Sequence, residues 1–301
     1  MRVLITGATG MIGSKVTQLC HEKGIEVNYL TTTKSKIENK KNFQGFYWNP
    51  EKDEIDEACL DDVTAIIHLA GASIAEPWSN SYKKEIIESR TQTASLLLRT
   101  LKENNHDVRC LISASAIGGY PTSLEKLYFE EDKIETETFV GKVVSKWEEA
   151  ADEFEVEGLD IVKIRIGLVL AEEGGVLPRI KKPIAMNVGA ALGNGKQWQS
   201  WIHIDDLAGI FLHAMEKELT GTYNAVAPNP VTNKEMTKEL AAQMDKPLWL
   251  PNVPKFVLKT ILGEMSQIVL SSQLVSSKKI ETTGYNFKFT KLSKALEDIL
   301  N

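Results

Sequence analysis

The chain lacks the features that would tie it to several classes of partner. Its 301 residues hold no long lysine or arginine cluster and carry a formal net charge of −6, which argues against nucleic acid or an anionic membrane surface as the main partner. No apolar run reaches the ~20 residues that span a bilayer. The N-terminus runs straight into a β-branched strand instead of a charged and apolar leader, so a cytoplasmic protein is expected. Cysteine is scarce: Cys20, Cys59 and Cys110 are odd in number and widely separated, which suggests neither a disulfide framework nor a zinc site. Each is expected to be a small buried apolar residue. Internal repeats, low-complexity linkers and a glycine- or proline-rich hinge are missing too. What remains is an ordinary globular composition, 43% apolar and 25% charged, long enough for one α/β domain with an appendage or for two domains.

The organising stretch is the first thirteen residues, MRVLITGATGMIG. Residues 2–6 form a β-branched run suited to a buried strand. Gly7, Gly10 and Gly13 follow at G-x-x-G-x-x-G spacing, and Ile12, Val16 and Leu19 continue at helical spacing. Gly7 lets the chain turn out of the strand, Gly10 lets backbone approach a pyrophosphate, and Gly13 lets the helix pack close to the sheet. The helix start then aims its unpaired N–H groups at phosphate. Gly7, Ala8, Thr9, Gly10, Met11, Ile12 and Gly13 are therefore candidate cofactor-binding residues.

Residues 25–30 read as a second strand running into Thr31, Thr32, Thr33, Lys34, Ser35 and Lys36. An NAD-preferring fold sets an acid on the ribose 2′-hydroxyl about 20 residues past the glycines. None is present, and Thr32 with Lys34 and Lys36 suits a 2′-phosphate, so NADP(H) is the expected cofactor. Taken alone, the lysines also suit a solvated basic loop.

Residues 43–48 and 64–69 make further strands, the second apolar enough to be buried on both faces of a parallel sheet. It contains His68, expected to be a hydrogen-bonded core histidine, and ends in Leu69, Ala70 and Gly71, small enough at the end for a ligand to lie close to backbone. A helix over 82–103 carries Arg90, placed either to reach the cofactor or to pair with a carboxylate. The strand at 108–112 ends in Ser113 and Ser115, at the carboxyl end where such sheets bind ligands. A helix over 139–156 and a strand over 161–170 complete the alternation. The fold class is thus α/β, a doubly wound parallel sheet. Arg165 interrupts the last strand, where a buried guanidinium must find a ligand anion or a structural carboxylate.

Beyond residue 170 the rhythm changes. Residues 178–188 read as helix and 189–195 as a glycine-rich loop. Trp201 and His203, beside Ser200, either line a substrate cleft or pack in the core. Asp205 or Asp206 is placed to cap a helix over 207–217, residues 223–227 are strand-like, and Thr232 with Glu235 makes a capping box for a helix to Met244. Short helices over 256–262 and 292–300 flank a strand-like 285–289.

The segments ITGATGMIG, HLAG at 68–71, LISASAIGGY and RIG at 165–167 resemble extended short-chain dehydrogenase/reductases, the group that contains sugar-nucleotide epimerases and dehydratases. More narrowly, ESRTQTASLLL, SASAIGGY, SKWEEAA, QSWIHIDDLA, NAVAPNPVTN and LGEM are similar to one epimerase-like family. The resemblance implies an NADP-binding Rossmann domain over 1–230, with substrate-cleft insertions around 172–204, and a small mixed C-terminal subdomain over 231–301. It also implies a small-molecule substrate and suggests a helix-mediated homodimer. Leu69, Ala70, Gly71, Arg90, Ser113 and Arg165 join the cofactor candidates, with Trp201 and His203 at the substrate.

In that group a serine orients the substrate oxygen, a tyrosine moves the proton, and a lysine four residues on lowers the tyrosine's pKa. Ser115 matches the serine. No tyrosine here has lysine four positions on, and the start of the helix after Ser115 reads Phe139, Val140, Gly141, Lys142, Val143. The candidate acid is then Tyr120, a lysine of that helix, or water. Lys142 and Lys146 lie away from the apolar stripe of Val143, Trp147, Ala150 and Phe154 and suit a solvated face. Two functions stay open: hydride transfer on a small carbonyl or sugar-nucleotide-like substrate, or a catalytically silent NADP(H)-binding redox sensor or interaction protein, for example in cell division.

Overall fold

The structure, a computed structural model, describes residues 1–300. Apolar strands alternate with amphipathic helices from the start: β1 (Arg2–Thr6), α1 (Met11–Glu22), β2 (Glu26–Thr31), β3 (Asn39–Lys40), β4 (Phe43–Asn49), β5 (Glu54–Ile55), β6 (Val63–His68) and α2 (Asn80–Glu103). The chain continues through β7 (Cys110–Ala116), β8 (Leu127–Tyr128), α3 (Phe139–Asp152), β9 (Asp160–Ile166), β10 (Leu168–Leu170), α4 (Leu177–Ala185), β11 (Trp198–Gln199) and β12 (Trp201–His203). Then come α5 (Ile204–Glu216), β13 (Gly221–Ala225), β14 (Val231–Thr232), α6 (Asn233–Gln243), α7 (Lys255–Leu262), α8 (Ser266–Leu270), β15 (Leu274–Val275), α9 (Lys278–Thr282) and α10 (Leu292–Leu300).

The main sheet runs in the order β13, β9, β7, β6, β1, β2, β4, β3, with β5 paired to β4. β1 pairs in parallel with both β2 and β6, and the parallel pairing extends to β4 on one side and β7 on the other. The chain therefore winds outward from β1 through β2, then restarts at β6 and winds the other way. The carboxyl ends of β1 and β6 form the switch point at which such sheets bind ligands. Val3, Leu4 and Ile5 of β1 and Ile66 and Ile67 of β6 are fully buried, as expected of strands covered on both faces.

The residues group into two compact units that interleave along the chain. The first comprises Met1–Ser115, Lys142–Arg165 and Ala208–Tyr223. Its core gathers Leu4, Ile66, Leu97, Leu101, Leu111 and Phe154. The second comprises Ala116–Gly141, Ile166–Leu207 and the residues from Asn224 onward. Its core gathers Leu170, Trp201, Leu240, Phe289 and Leu296.

Three local readings change. The strand expected over 161–170 is broken into β9 and β10 at Gly167, where a Cβ would stand 2.3 Å from the carbonyl oxygen of Ser200. Residues 285–289 form no strand, because the Lys288 and Phe289 N–H groups donate to the Asp206 carboxylate (2.7 and 2.9 Å) instead of a neighbouring strand. Asp206, committed to them, sits in the first turn of α5 and does not cap it. The Thr232–Glu235 capping box at the start of α6 is present as read. Burial pushes the thiols of Cys20 and Cys59 up to about 12 and Cys110 to about 11, as suits packing residues.

Candidate functional site

Within the first unit, the turn between β1 and α1 is built by its glycines for different reasons. Gly7 has φ +70°, the left-handed region that favours glycine. A Cβ on Gly13 would stand 2.1 Å from the Gly7 carbonyl oxygen and 2.7 Å from the Ala8 Cα, so the fold itself forbids a side chain there. Gly10 is different. Its φ is −85°, and a Cβ would meet only the Gly7 oxygen, at 3.3 Å. Backbone conformation and packing account for Gly7 and Gly13, whereas at Gly10 a Cβ would meet one tight backbone contact and nothing else. No side chain caps α1, and its first N–H groups, those of Met11, Ile12 and Gly13, have no intrahelical acceptor. Thr9 and Gly10 are exposed, while Ala8 is buried beneath them. A diphosphate fits this arrangement: a cradle that a side chain would fill, backed by a helix dipole.

The neighbouring turn is held against this one. A Cβ on Gly7 would lie 3.2 Å from the Leu69 carbonyl group. Thr6 Oγ1 accepts from both the Leu69 and Ala70 N–H groups at 3.0 Å, so its own proton goes to His68 Nδ1, 2.8 Å away. Burial and the charge of Arg90 push His68 down to about 4, so the ring is neutral and carries its proton on Nε2. That nitrogen faces Thr93 Oγ1 at 3.3 Å, whose own proton goes to the Ser89 carbonyl. His68 is thus the satisfied core histidine expected, tying β1, β6 and α2 together beneath the turn. Gly71 has a second purpose beyond any ligand: a Cβ there would stand 3.1 Å from Arg90 Cζ. Arg90 meets no carboxylate among the described residues, which removes one of its two expected roles.

After β2, Thr32, Lys34 and Lys36 are exposed, and residues 34–36 form a short 3-10 turn. Lys34 Nζ lies 4.7 Å from the centre of the Tyr47 ring, and the Lys36 carbonyl accepts the Tyr29 hydroxyl proton at 2.6 Å. The loop is ordered by its own contacts and keeps a cationic, acid-free surface.

Ser113 and Ser115 share one face of β7 and both are buried. Ser113 Oγ donates to the Ala114 carbonyl at 3.1 Å. Ser115 Oγ donates to Glu148 Oε1 at 2.6 Å. Glu148 in turn receives Arg165 in a two-pronged pair, Nε at 2.8 Å and Nη2 at 2.9 Å. Burial opposes ionisation of Glu148, yet Arg165 and the Ser115 hydrogen bond outweigh it and hold the carboxyl below its usual range. Arg165 therefore meets a structural carboxylate, the second of its two expected partners. Glu148 was not among the sequence candidates. The pointers to it were Arg165 itself, which requires a buried acid, and its spacing with the buried Val144 and Ala151 on α3. Lys142 and Lys146 are exposed, Lys146 pairing with Glu149, in keeping with a solvated face.

Within the second unit, three candidates are occupied by their own surroundings. The Tyr120 hydroxyl donates to Asn224 Oδ1 at 2.9 Å and its ring stacks on Tyr128. Trp201 is fully buried in the core, its indole donating to the Asn229 carbonyl at 3.0 Å. His203 is buried against the Phe289 ring, accepts the Asp205 N–H at Nδ1 and faces Asp298 at Nε2. Both side chains are buried among protein groups, the Trp201 indole N–H and His203 Nδ1 each hydrogen-bonded within the chain. Val140, near the start of α3, lies against Gly118, where a Cβ would be 2.9 Å from its Cγ1.

A family model described as NAD dependent epimerase/dehydratase family matches residues 3–225, and one described as a domain of unknown function, DUF1731, matches residues 253–299. An epimerase family protein of Staphylococcus aureus is 36% identical over 301 residues, covering 99% of this chain and 98% of that protein. Another, from Staphylococcus epidermidis, is 34% identical over 302 residues. Among solved structures, a human epimerase family protein crystallised with NADPH superposes with a TM-score of 0.88 at 30% identity, covering 99% of both chains. A nucleoside-diphosphate sugar epimerase from Corynebacterium glutamicum gives a TM-score of 0.80 at 29% identity, with this chain spanning 58% of its length.

Proposed function

This chain belongs to the NAD dependent epimerase/dehydratase family, and from that premise we propose that it binds NADP(H) at the β1–α1 turn and transfers hydride to or from a carbinol or carbonyl carbon of a small, sugar-nucleotide-like substrate. The observation that carries the reading is Gly10, where a Cβ would press on a single backbone oxygen, at 3.3 Å, and otherwise point into the space before the helix start. Met11, Ile12 and Gly13 would hold the diphosphate by their N–H groups, and Thr32 and Lys34 would face a 2′-phosphate. The human relative crystallised with NADPH supports that choice of cofactor. The nicotinamide supplies the hydride acceptor or donor.

Ser115 takes a narrower role than polarising a carbonyl. A hydroxyl has one proton, and here it goes to Glu148, so toward a ligand Ser115 offers only lone pairs. It orients a substrate hydroxyl by accepting from it. Glu148 is held ionised by Arg165 and positions the serine.

That commitment also favours a second reading, cofactor binding without chemistry, because Phe139 and Val143 leave no tyrosine with a lysine four positions on at the start of α3, and Lys142 there is exposed. Incubation with C4-deuterated NADPH and a panel of carbonyl compounds and sugar nucleotides separates the two. Deuterium in any product supports hydride transfer; tight NADPH binding with no transfer across the panel supports the sensor.

A further inference from the structure

Arg90 carries a charge that the fold leaves unbalanced. It lies on the inward face of α2 with 8% of its surface exposed, and Nη1 donates to the Ile86 carbonyl one turn earlier at 2.7 Å. Its guanidinium lies over the Trp147 ring of α3, with Cζ 4.6 Å from the ring centre, and against the backbone of Gly71. Two N–H donors are enclosed there without an acceptor, Arg90 Nε and Trp147 Nε1. Trp147 is itself only 8% exposed. The same unit treats its other buried arginine in the opposite way, giving Arg165 both oxygens of Glu148. Buried N–H groups in native folds are almost always satisfied, and a buried cation is normally paired. One orphaned donor on an arginine without a carboxylate and a second on the indole packed against it call for an acceptor that the described residues do not supply.

We propose that Arg90 Nε and Trp147 Nε1 together form a subsite for an anionic oxygen, of a phosphate or a carboxylate. The subsite rests on the reading of the β1–α1 turn as a dinucleotide site, since Gly71 follows the Leu69 and Ala70 turn that touches Gly7. Two sources present such an oxygen: a phosphate of the cofactor, or an acid group on the substrate. Trp147 is the new member of the site. Its indole lies in the apolar stripe of α3 and reads from sequence as core alone, whereas its Nε1–H has no acceptor among the described residues.

The test is nitrogen-edited NMR of the full chain, with the Arg90 Nε–H and Trp147 indole resonances assigned by Arg90→Lys and Trp147→Phe. Arg90→Lys keeps the charge and removes Nε; Trp147→Phe keeps most of the ring and removes the donor. If the cofactor supplies the oxygen, NADPH moves both resonances, and each variant weakens NADPH binding about tenfold or more. If the substrate supplies it, NADPH leaves both in place, and inorganic phosphate or acetate added to the NADPH-saturated protein moves them. Should none of the three probes move either resonance while NADPH binds the wild type, a buried water fills the recess, and the subsite is wrong with the dinucleotide site intact. Loss of NADPH binding by the wild type would instead remove the underlying reading. The wild-type shifts decide the matter even where a variant fails to fold.

Discussion

Replacing Gly10 by aspartate sets the stability of the fold against its ligand. Asp is among the best N-cap residues and Gly is tolerated there, so the change stabilises α1 by a few tenths of a kcal/mol, about what a cap exchange is worth. The Cβ meets only the Gly7 carbonyl oxygen, at 3.3 Å, a contact relieved by a shift of a few tenths of an ångström. The new carboxylate occupies the space in front of the Met11, Ile12 and Gly13 N–H groups. Like charges about 4 Å apart at an effective dielectric of about 20 repel by about 4 kcal/mol. Screening reduces this, and at about 2.7 kcal/mol it still weakens NADPH binding roughly 100-fold. Gly13→Ala is the contrasting variant: its Cβ meets backbone at 2.1 Å, and overpacking costs about 3 kcal/mol or more. Urea melts paired with calorimetric NADPH titration read both quantities. Gly10→Asp is expected to melt with or slightly above the wild type and to bind NADPH roughly 100-fold more weakly. If it binds NADPH as tightly as the wild type, Gly10 is not facing a phosphate and the reasoning from its open side is refuted.

Three further outcomes are expected. His68 is pushed down to about 4 from an ordinary 6.5, so as pH falls the unfolded chain takes the proton first. The stability this contributes is full above 6.5 and is lost through the window down to about 4, amounting to about 3 kcal/mol. Urea melts of wild type and His68→Asn across that window should converge toward acid, and parallel curves would contradict the neutral ring. Glu148 is held below its usual range, so its contribution is present at neutral pH and is lost as pH falls below the ordinary carboxyl range. Arg165→Met, which strands the carboxylate, should cost about 3–5 kcal/mol at pH 7 by denaturant melt, and a loss below ~1 kcal/mol would show the pair to be superficial. Lys34→Glu should erase a preference for NADPH over NADH in parallel titrations; an unchanged ratio would place the 2′-phosphate elsewhere.

What was legible in the sequence is what depends on neighbours along the chain. The turn from β1 into α1 is written in thirteen consecutive residues, and the Thr232–Glu235 capping box in four. The doubly wound order followed because each strand and helix carries its own period. The roles of Ser115, Arg165 and Arg90 depended on partners far away in sequence. Glu148 lies 33 residues from Ser115 and 17 from Arg165, and only the fold brings the three together. Arg165 announced that an acid must exist without saying which one. Residues 285–289 have the composition of a strand, but the Lys288 and Phe289 N–H groups go to Asp206, one of two residues read as the helix cap. Trp201 and His203, polar-tipped aromatics in a short strand, read as core or cleft, and the groups they meet in the fold, Asn229, Phe289 and Asp298, lie 28 or more residues further on.

The most direct measurement is a crystal structure of the protein grown with saturating NADPH. The diphosphate should rest on the N–H groups of Met11, Ile12 and Gly13, with Gly10 beneath it and the 2′-phosphate beside Thr32 and Lys34. Cofactor density anywhere else, or a β1–α1 turn left bare in a crystal containing bound NADPH, would contradict the account.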